Sequence, residues 1–286
     1  MKSNVNSKNI FTKRNIIIGI LSIFLIIFAI IQIYPLIWLF LFSLKDNAEI
    51  YGGNVMGLPR RWLWSNYKNA LTSGYVWIYT INSAWITAVT IVVSGVIGVM
   101  ASYAISRMRW KLSNVTLTVF LLGIMIPIHS ALLPLFIILN KTKLLDTPIA
   151  LIVPYIAYAL PMCIFVCVGF LKSIPKEMEE SAFLDGCSIY RAFVSIILPL
   201  IKPAVATVSI FTYLQAWNEL MFASTFINDY RLKTLPVGIM SMSGQYSTEW
   251  GPIGAGLVIA TIPTIIIYVL MSNQVQASLT NGAVKG

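Results

Sequence analysis

Six long apolar runs separated by short polar and charged clusters divide the chain, at about residues 15–43, 77–105, 115–139, 148–171, 204–227 and 252–273. Each is long enough to cross a hydrocarbon core of roughly 30 Å as a tilted helix. A barrel strand needs only about 9 to 11 residues, and backbone in lipid must satisfy its own polar groups, so runs of this length predict helices. Turn and breaker residues stand at their ends, among them Pro148, Pro175, Pro203 and Gly251. The first run follows Thr12-Lys13-Arg14 and exceeds the roughly 7 to 15 residue core of a signal peptide, so it is expected to remain a membrane helix. The predicted class is an all-α polytopic membrane protein with six transmembrane helices.

Composition agrees: 58% of residues are apolar, 10% are charged and mean hydropathy is +0.81. An ordinary soluble domain is about 45 to 50% apolar and about 25% charged. The spans consume the length, which predicts one membrane domain over 1–286 with no linker. The net charge of +10 sits in short clusters between apolar runs, not along one face, and this argues against nucleic acid. Twelve Lys and Arg fall on the side that holds the N-terminus and eight on the other, so both termini are expected in the cytoplasm. Cys163 and Cys167, four apart in an apolar run, read as small buried side chains. No phosphate loop and no metal-ligand spacing occurs, and the single histidine, His129, reads as a hydrogen-bonded core residue. The chain is therefore expected to be non-catalytic and to hold no metal or cofactor.

One charged stretch interrupts this pattern between spans four and five, "EMEESAFLDGCSIYRAFVSIILPLIKPA" from Glu177 to Ala204. Pro175 suits a first helical turn, and Glu177, Glu179 and Glu180 complement a positive helix N-terminus. The Asp185-Gly186 turn supplies a left-handed C-cap and Ser188 an N-cap, so two short helices should meet at a corner. Ile189, Phe193 and Ile196 or Ile197 give the second helix an apolar face. Pattern alone leaves open a solvated loop.

The spacing E-x-A-x3-G-x9-I-x-L-P, met at Glu180, Ala182, Gly186, Ile196, Leu198 and Pro199, resembles the cytoplasmic signature loop of binding-protein-dependent ABC importer permeases, with Ser181 where the first alanine of "EAA" is usual. "NSAWITA" at 82–88, "SYAISRMRWK" at 102–111, "WNEL" at 217–220, "KTLPVGI" at 233–239 and the terminal "LTNGAVKG" are similar to the smaller, maltose-type permease subunit of carbohydrate importers. The resemblance implies a type I ABC importer permease fold with a coupling helix in loop 175–203. It implies as partners a second permease, two cytoplasmic ATPase subunits holding ATP and Mg, and an external solute-binding protein that delivers sugar. Glu180, Ala182, Asp185, Gly186, Leu198 and Pro199, with Lys285 of the tail, would contact the ATPases. The loop 241–251, with Gly244, Gln245 and Tyr246, would enter the binding protein as a scoop. Glycerol-phosphate or polyol import is the alternative within the family.

A transport path needs polar groups in the membrane. Ser209, Thr212, Gln215 and Glu219 recur at helical steps in span five, with Asn218 and Trp217 of "WNEL" beside them and Tyr213 at the edge. Such a stripe either lines the path or locks span five to the partner permease. Asn82 and Ser83, near the outer end of span two, are weaker candidates for contact with sugar. A proton-driven secondary transporter would show several ionisable groups in its spans, whereas Glu219 is the one clear carboxylate in these six.

Overall fold

The computed structural model describes residues 4–244 and 248–283. Packing divides the chain into two compact units, Met1–Ala70 with Gln245–Val258, and Leu71–Gly244 with Ile259–Gly286.

The first unit contains α1 (Asn4–Phe42), α2 (Asn47–Tyr51), α3 (Ser65–Leu71) at its border and the first turns of α14 (Trp250–Ala283). From Asn15 to Phe42 α1 is apolar around its circumference, and its mean hydropathy reaches 3.1 with none of that window buried, as suits a helix surrounded by lipid. Beyond it Asp46 caps α2 by accepting the Glu49 amide at 2.7 Å. Lys45, fully buried, donates its ammonium to the carbonyls of Asn54, Val55 and Gly57 at 2.7, 3.0 and 2.7 Å, which fastens the loop after α2. Asn47 caps α14 through the Trp250 amide at 2.9 Å, and a side chain at Gly251 would strike Asn66 and the Lys45 carbonyl. Gly251 thus opens a helix by allowing close approach.

The second unit runs through α4 (Val76–Arg107), α5 (Ser113–Met125), α6 (Leu132–Lys141), α7 (Ile149–Ser173), α8 (Glu177–Leu184), α9 (Ile189–Ala192), α10 (Leu198–Leu200), α11 (Lys202–Trp217), α12 (Met221–Phe226) and α13 (Leu235–Met240). It also holds the rest of α14. α4 against α7 is its most extensive helix pair. A Cβ on Gly98 would lie 2.4 Å from Cys163 Sγ, so a glycine hole receives a cysteine knob. Thr90, Ser94 and Ser102 bury their hydroxyls on the same helix by donating to carbonyls four residues back, at 2.8, 2.6 and 2.6 Å. Apolar clusters complete the packing, among them one around Ile86, Leu151, Tyr155, Phe222 and Phe226, one around Tyr103, Cys167, Leu171, Ile197 and Ile201, and one around Ile105, Ile164 and Val168.

Among the described residues four helices are long and apolar enough to cross a membrane, Asn15–Phe42, Val76–Arg107, Ile149–Ser173 and Trp250–Ser272. Two bent pairs raise the number to six if each is one span: Ser113–Met125 with Ile128–Lys141 at 93°, and Ile189–Leu200 with Lys202–Trp217 at 72°. Two expectations of straight helices therefore change. The run 115–139 breaks at Ile126, whose ψ of 119° is the extended value that a following proline enforces. The run 204–227 ends its first helix at Trp217 and restarts at Met221, because the Glu219 carboxylate takes the amides that open α12.

Candidate functional site

The charged stretch after α7 folds as two short helices meeting at a corner. Lys176 is the N-cap of α8 and Pro175 lies just outside it, two positions before the first helical residue, Glu177. The Cys187 amide donates to the Ala182 carbonyl at 2.9 Å and the Gly186 amide to that of Phe183 at 3.0 Å, while Gly186 has φ +80°. This pair of bonds is the Schellman closure, and the left-handed residue it requires is the glycine. Ser188 then accepts the Arg191 amide at 3.4 Å and starts α9. A π-helical turn over Phe193–Ile197 follows, and its extra residue per turn places Ile197 and Ala192 in the core, with Ile196 half-buried and Ile189 exposed. Leu184 and Tyr190 project from the corner at 88% and 82% exposure. Glu180, Asp185, Gly186 and Pro199 are also exposed, and Ala182 and Leu198 are half-buried.

The sequence treats the three acids of α8 alike, but the structure separates them. Glu177 and Glu180 face outward, whereas Glu179 is buried against the end of α4. Its Oε1 meets Arg107 Nε at 2.9 Å and its Oε2 accepts the Tyr103 hydroxyl at 2.9 Å. Arg107 Nη2 also donates to the Leu171 and Ile174 carbonyls at 2.9 and 2.8 Å, a cation closing the C-terminus of α7. The available signal was helical phase: Glu179 shares a face with Ala182 and Phe183, on the side of α8 that Glu180 leaves.

The polar stripe of span five is also divided. Ser209 is half-buried and bonds back to Val205 at 2.8 Å, and Thr212 is buried. Gln215 and Asn218 are exposed, the latter donating to the Leu214 carbonyl at 2.8 Å. Trp217 is buried, stacks on Tyr213 at 5.5 Å and donates to the Ala260 carbonyl at 3.2 Å. Glu219 lies past the helix end, outside the expected stripe; it accepts the Tyr155 hydroxyl at 2.6 Å and the amides of Phe222 and Ala223 at 2.8 and 3.1 Å. Three of its roughly four acceptor sites are therefore filled within the chain. Near Tyr213 and Trp217 a mostly apolar cavity of about 280 Å³ opens between α4, α11 and α14, with Thr80, Thr87 and Pro263 on its walls.

Asn82 and Ser83 are pins. Asn82 donates to the Arg231 and Lys233 carbonyls at 2.8 and 3.0 Å, and Ser83 accepts the Leu235 amide at 2.8 Å. They join "NSAWITA" to "KTLPVGI", and Gly238 completes the contact by leaving room for the Tyr79 ring. His129 is exposed, not in the core, because the bend at Pro127 puts it in a 3₁₀ turn, where its ring meets Phe222 edge-on. In the loop before α7, Asp146 accepts the amides of Asn228 and Asp229, and these bonds hold its pKa below the usual carboxylate value. Among the described residues no three His, Cys, Asp or Glu side chains are grouped as metal ligands. Gly244 is described and exposed; Gln245, Tyr246 and Lys285 lie outside the described residues.

Residues 94–281 match the family of binding-protein-dependent transport system inner membrane components. The chain belongs to this family. The permease is 36% identical over 264 residues to a putative ABC transporter permease protein, ORF2, of Caldicellulosiruptor sp. (strain Rt8B.4), covering 92% of this chain and 96% of that protein. It is 32% identical over 265 residues to the trehalose/maltose transport system permease protein MalG of Thermococcus litoralis, covering 91% and 94%. Its fold is shared, at a TM-score of 0.75 and 23% identity, with a chain of a bacterial ABC transporter involved in the import of the acidic polysaccharide alginate, over 96% of this permease and 99% of that chain. The corner, the Glu179 contacts and Glu219 all fall within the matched residues.

Proposed function

We propose that this permease forms half of the translocation path of an ATP-driven, binding-protein-dependent importer of an oligosaccharide, with six spans, both termini in the cytoplasm, and the corner of α8 and α9 docked on an ATPase subunit. The projecting corner carries the reading: a chain of this family, without a phosphate loop of its own, presents Leu184 and Tyr190 almost fully exposed around a left-handed Gly186. ATP and Mg are then held by separate subunits, and Glu180 meets a basic group in the ATPase cleft. The relative's trehalose/maltose name supports sugar as the solute class; glycerol-phosphate or a polyol is the alternative. Gln215 and Asn218, outward-facing on and after α11, are the groups of the stripe left to line the path or meet the second permease. The tail with Lys285 reaches the ATPases, and the loop with Gly244, Gln245 and Tyr246 enters the opened binding protein.

The test is reconstitution of both permeases and the ATPase in proteoliposomes with the binding protein, and uptake measured across maltose, trehalose and diacetylchitobiose. Uptake that needs ATP and every partner is expected, and Gly186→Trp should abolish it by straining the turn and blocking the cleft. Uptake by this chain alone, or full uptake with Gly186→Trp, would overturn the reading.

A further inference from the structure

The corner is held at its root by a buried charge pair that the docking surface does not use. Arg107 and Glu179 side chains are each 6% exposed in a chain that is 10% charged, and Arg107 Nε and Glu179 Oε1, 2.9 Å apart as an ion pair, are both buried without a hydrogen-bond partner. Desolvating two charges is costly unless geometry is good and the remaining donors and acceptors are filled. Two further atoms of the pair find partners here. Oε2 takes the Tyr103 hydroxyl, whose ring packs 5.0 Å from Phe193 beyond the corner, and Nη2 takes the last carbonyls of α7. Three helices are thus joined at one point, where an apolar contact would have allowed sliding.

The helices that meet there differ in proline content. α7 contains Pro154 and Pro161, and the chain leaving the corner bends by 72° before α11. α4 contains no proline over 32 residues, about 48 Å at about 1.5 Å per residue. Its other end is fixed as firmly as its first: Asn82 and Ser83 hold the backbone of 231–235, and the Tyr79 ring fills the space over Gly238.

We infer that Arg107, Glu179 and Tyr103 are positioning residues, a clamp that makes the corner and α4 one rigid body and so delivers movement of the corner to the segment 231–238 at the far end of α4. The inference rests on the coupling role proposed above. It assigns the transmission to α4 and leaves the exposed acids of α8 to docking. Neither Glu179 nor Tyr103 touches solute or nucleotide in this scheme; each acts through the placement of α8.

The test uses the whole transporter in proteoliposomes, with two readouts. A spin label at Leu184→Cys, in a Cys187→Ser background, reports how tightly the corner is held without any ligand. The ratio of ATP hydrolysis with and without sugar-loaded binding protein reports coupling; the sugar is whichever of maltose, trehalose and diacetylchitobiose most raises the binding protein's melting temperature. Glu179→Gln is expected to sharpen the label spectrum and lower the ratio about tenfold, within the range that coupling residues command. ATPase subunits should still be retained on the permease. Arg107→Lys, which keeps the charge but replaces two separate nitrogens, Nε on Glu179 and Nη2 on the carbonyls, with a single ammonium on a shorter fork-less stem, should lower the ratio as well. An unmodified transporter with no stimulation at all would remove the proposed function itself. Normal stimulation of the unmodified transporter, with the same ratio and line shape in Glu179→Gln, would overturn the clamp alone, as would a lower melting temperature with the ratio unchanged. If Glu179→Gln fails to assemble, Tyr103→Phe decides by the same readouts, since it removes one oxygen and keeps the ring on Phe193.

Discussion

Tyr155 of α7 donates its hydroxyl to Glu219 Oε2 at 2.6 Å, across 64 residues of sequence, and the same carboxylate opens α12 by accepting two backbone amides. One buried side chain thereby stops a membrane helix, starts the next and ties both to α7. Glu219→Ala would strand a hydroxyl and two amides in the core, and should cost about 3 kcal/mol or more. Tyr155→Phe removes one charge-assisted bond, worth about 1.5 to 3 kcal/mol. Thermal unfolding of the purified permease checks both, and an unshifted melting temperature for Glu219→Ala would contradict the capping role.

Two glycines are required for different reasons, and a second substitution should separate them. A methyl on Gly238 would sit 2.0 Å from the Tyr79 ring, so Gly238→Ala overpacks at a cost of about 1 to 3 kcal/mol. At Gly186 the space is open, but φ is +80°, which costs an L-residue about 1 kcal/mol. Tyr79→Leu should therefore relieve Gly238→Ala and leave Gly186→Ala unimproved. Equal behaviour of the two pairs in melting experiments would refute the distinction.

Asp146 makes stability depend on pH. Backbone bonds from Asp229 and Asn228 lower its folded pKa, so its contribution is fully present above the unfolded carboxylate value of about 3.9 and is lost as pH falls from there through the folded value. Asp229 accepts Arg231 and is lowered in the same sense. The melting temperature of the unmodified permease should exceed that of Asp146→Asn near neutrality, and the gap should close only below about pH 4. A gap that persists in acid would mean the carboxylate charge is irrelevant there.

The loop 241–251, in the role proposed above, gives a functional prediction. Replacing Gly244 through Ser247 with a Gly-Ser segment should preserve assembly and basal ATP hydrolysis while slowing uptake, because Gln245 and Tyr246 would no longer compete with sugar for the open binding protein. Uptake at the unmodified rate in proteoliposomes would make the loop a simple connection.

Much of the corner was legible in sequence because its signals are local. A left-handed glycine, a serine N-cap and an acidic first turn each act within about one helical turn, and Gly186 and Ser188 occupy those positions. Glu179 was not separable from Glu177 and Glu180 on that basis, since its partners, Tyr103 and Arg107, come from another helix. The stripe of span five failed for the complementary reason. Helical periodicity extrapolates Ser209, Thr212, Gln215 and Glu219 onto one face only while the helix continues, and no proline or glycine marks its end at Trp217.

What the sequence determines by itself is the set of apolar runs and the family: hydropathy follows from composition in a window, and the signature loop from residue spacing within one segment. Tertiary structure alone decides where the polar groups go. A buried carboxylate must find donors, and those of Glu219 come from α7 and its own next turn, while those of Glu179 come from α4. Asn82 likewise donates to the backbone of Arg231 and Lys233, because carbonyls left unpaired by an irregular segment need a donor. The pairings between helices join residues tens of positions apart, and a one-dimensional pattern contains no distance between them.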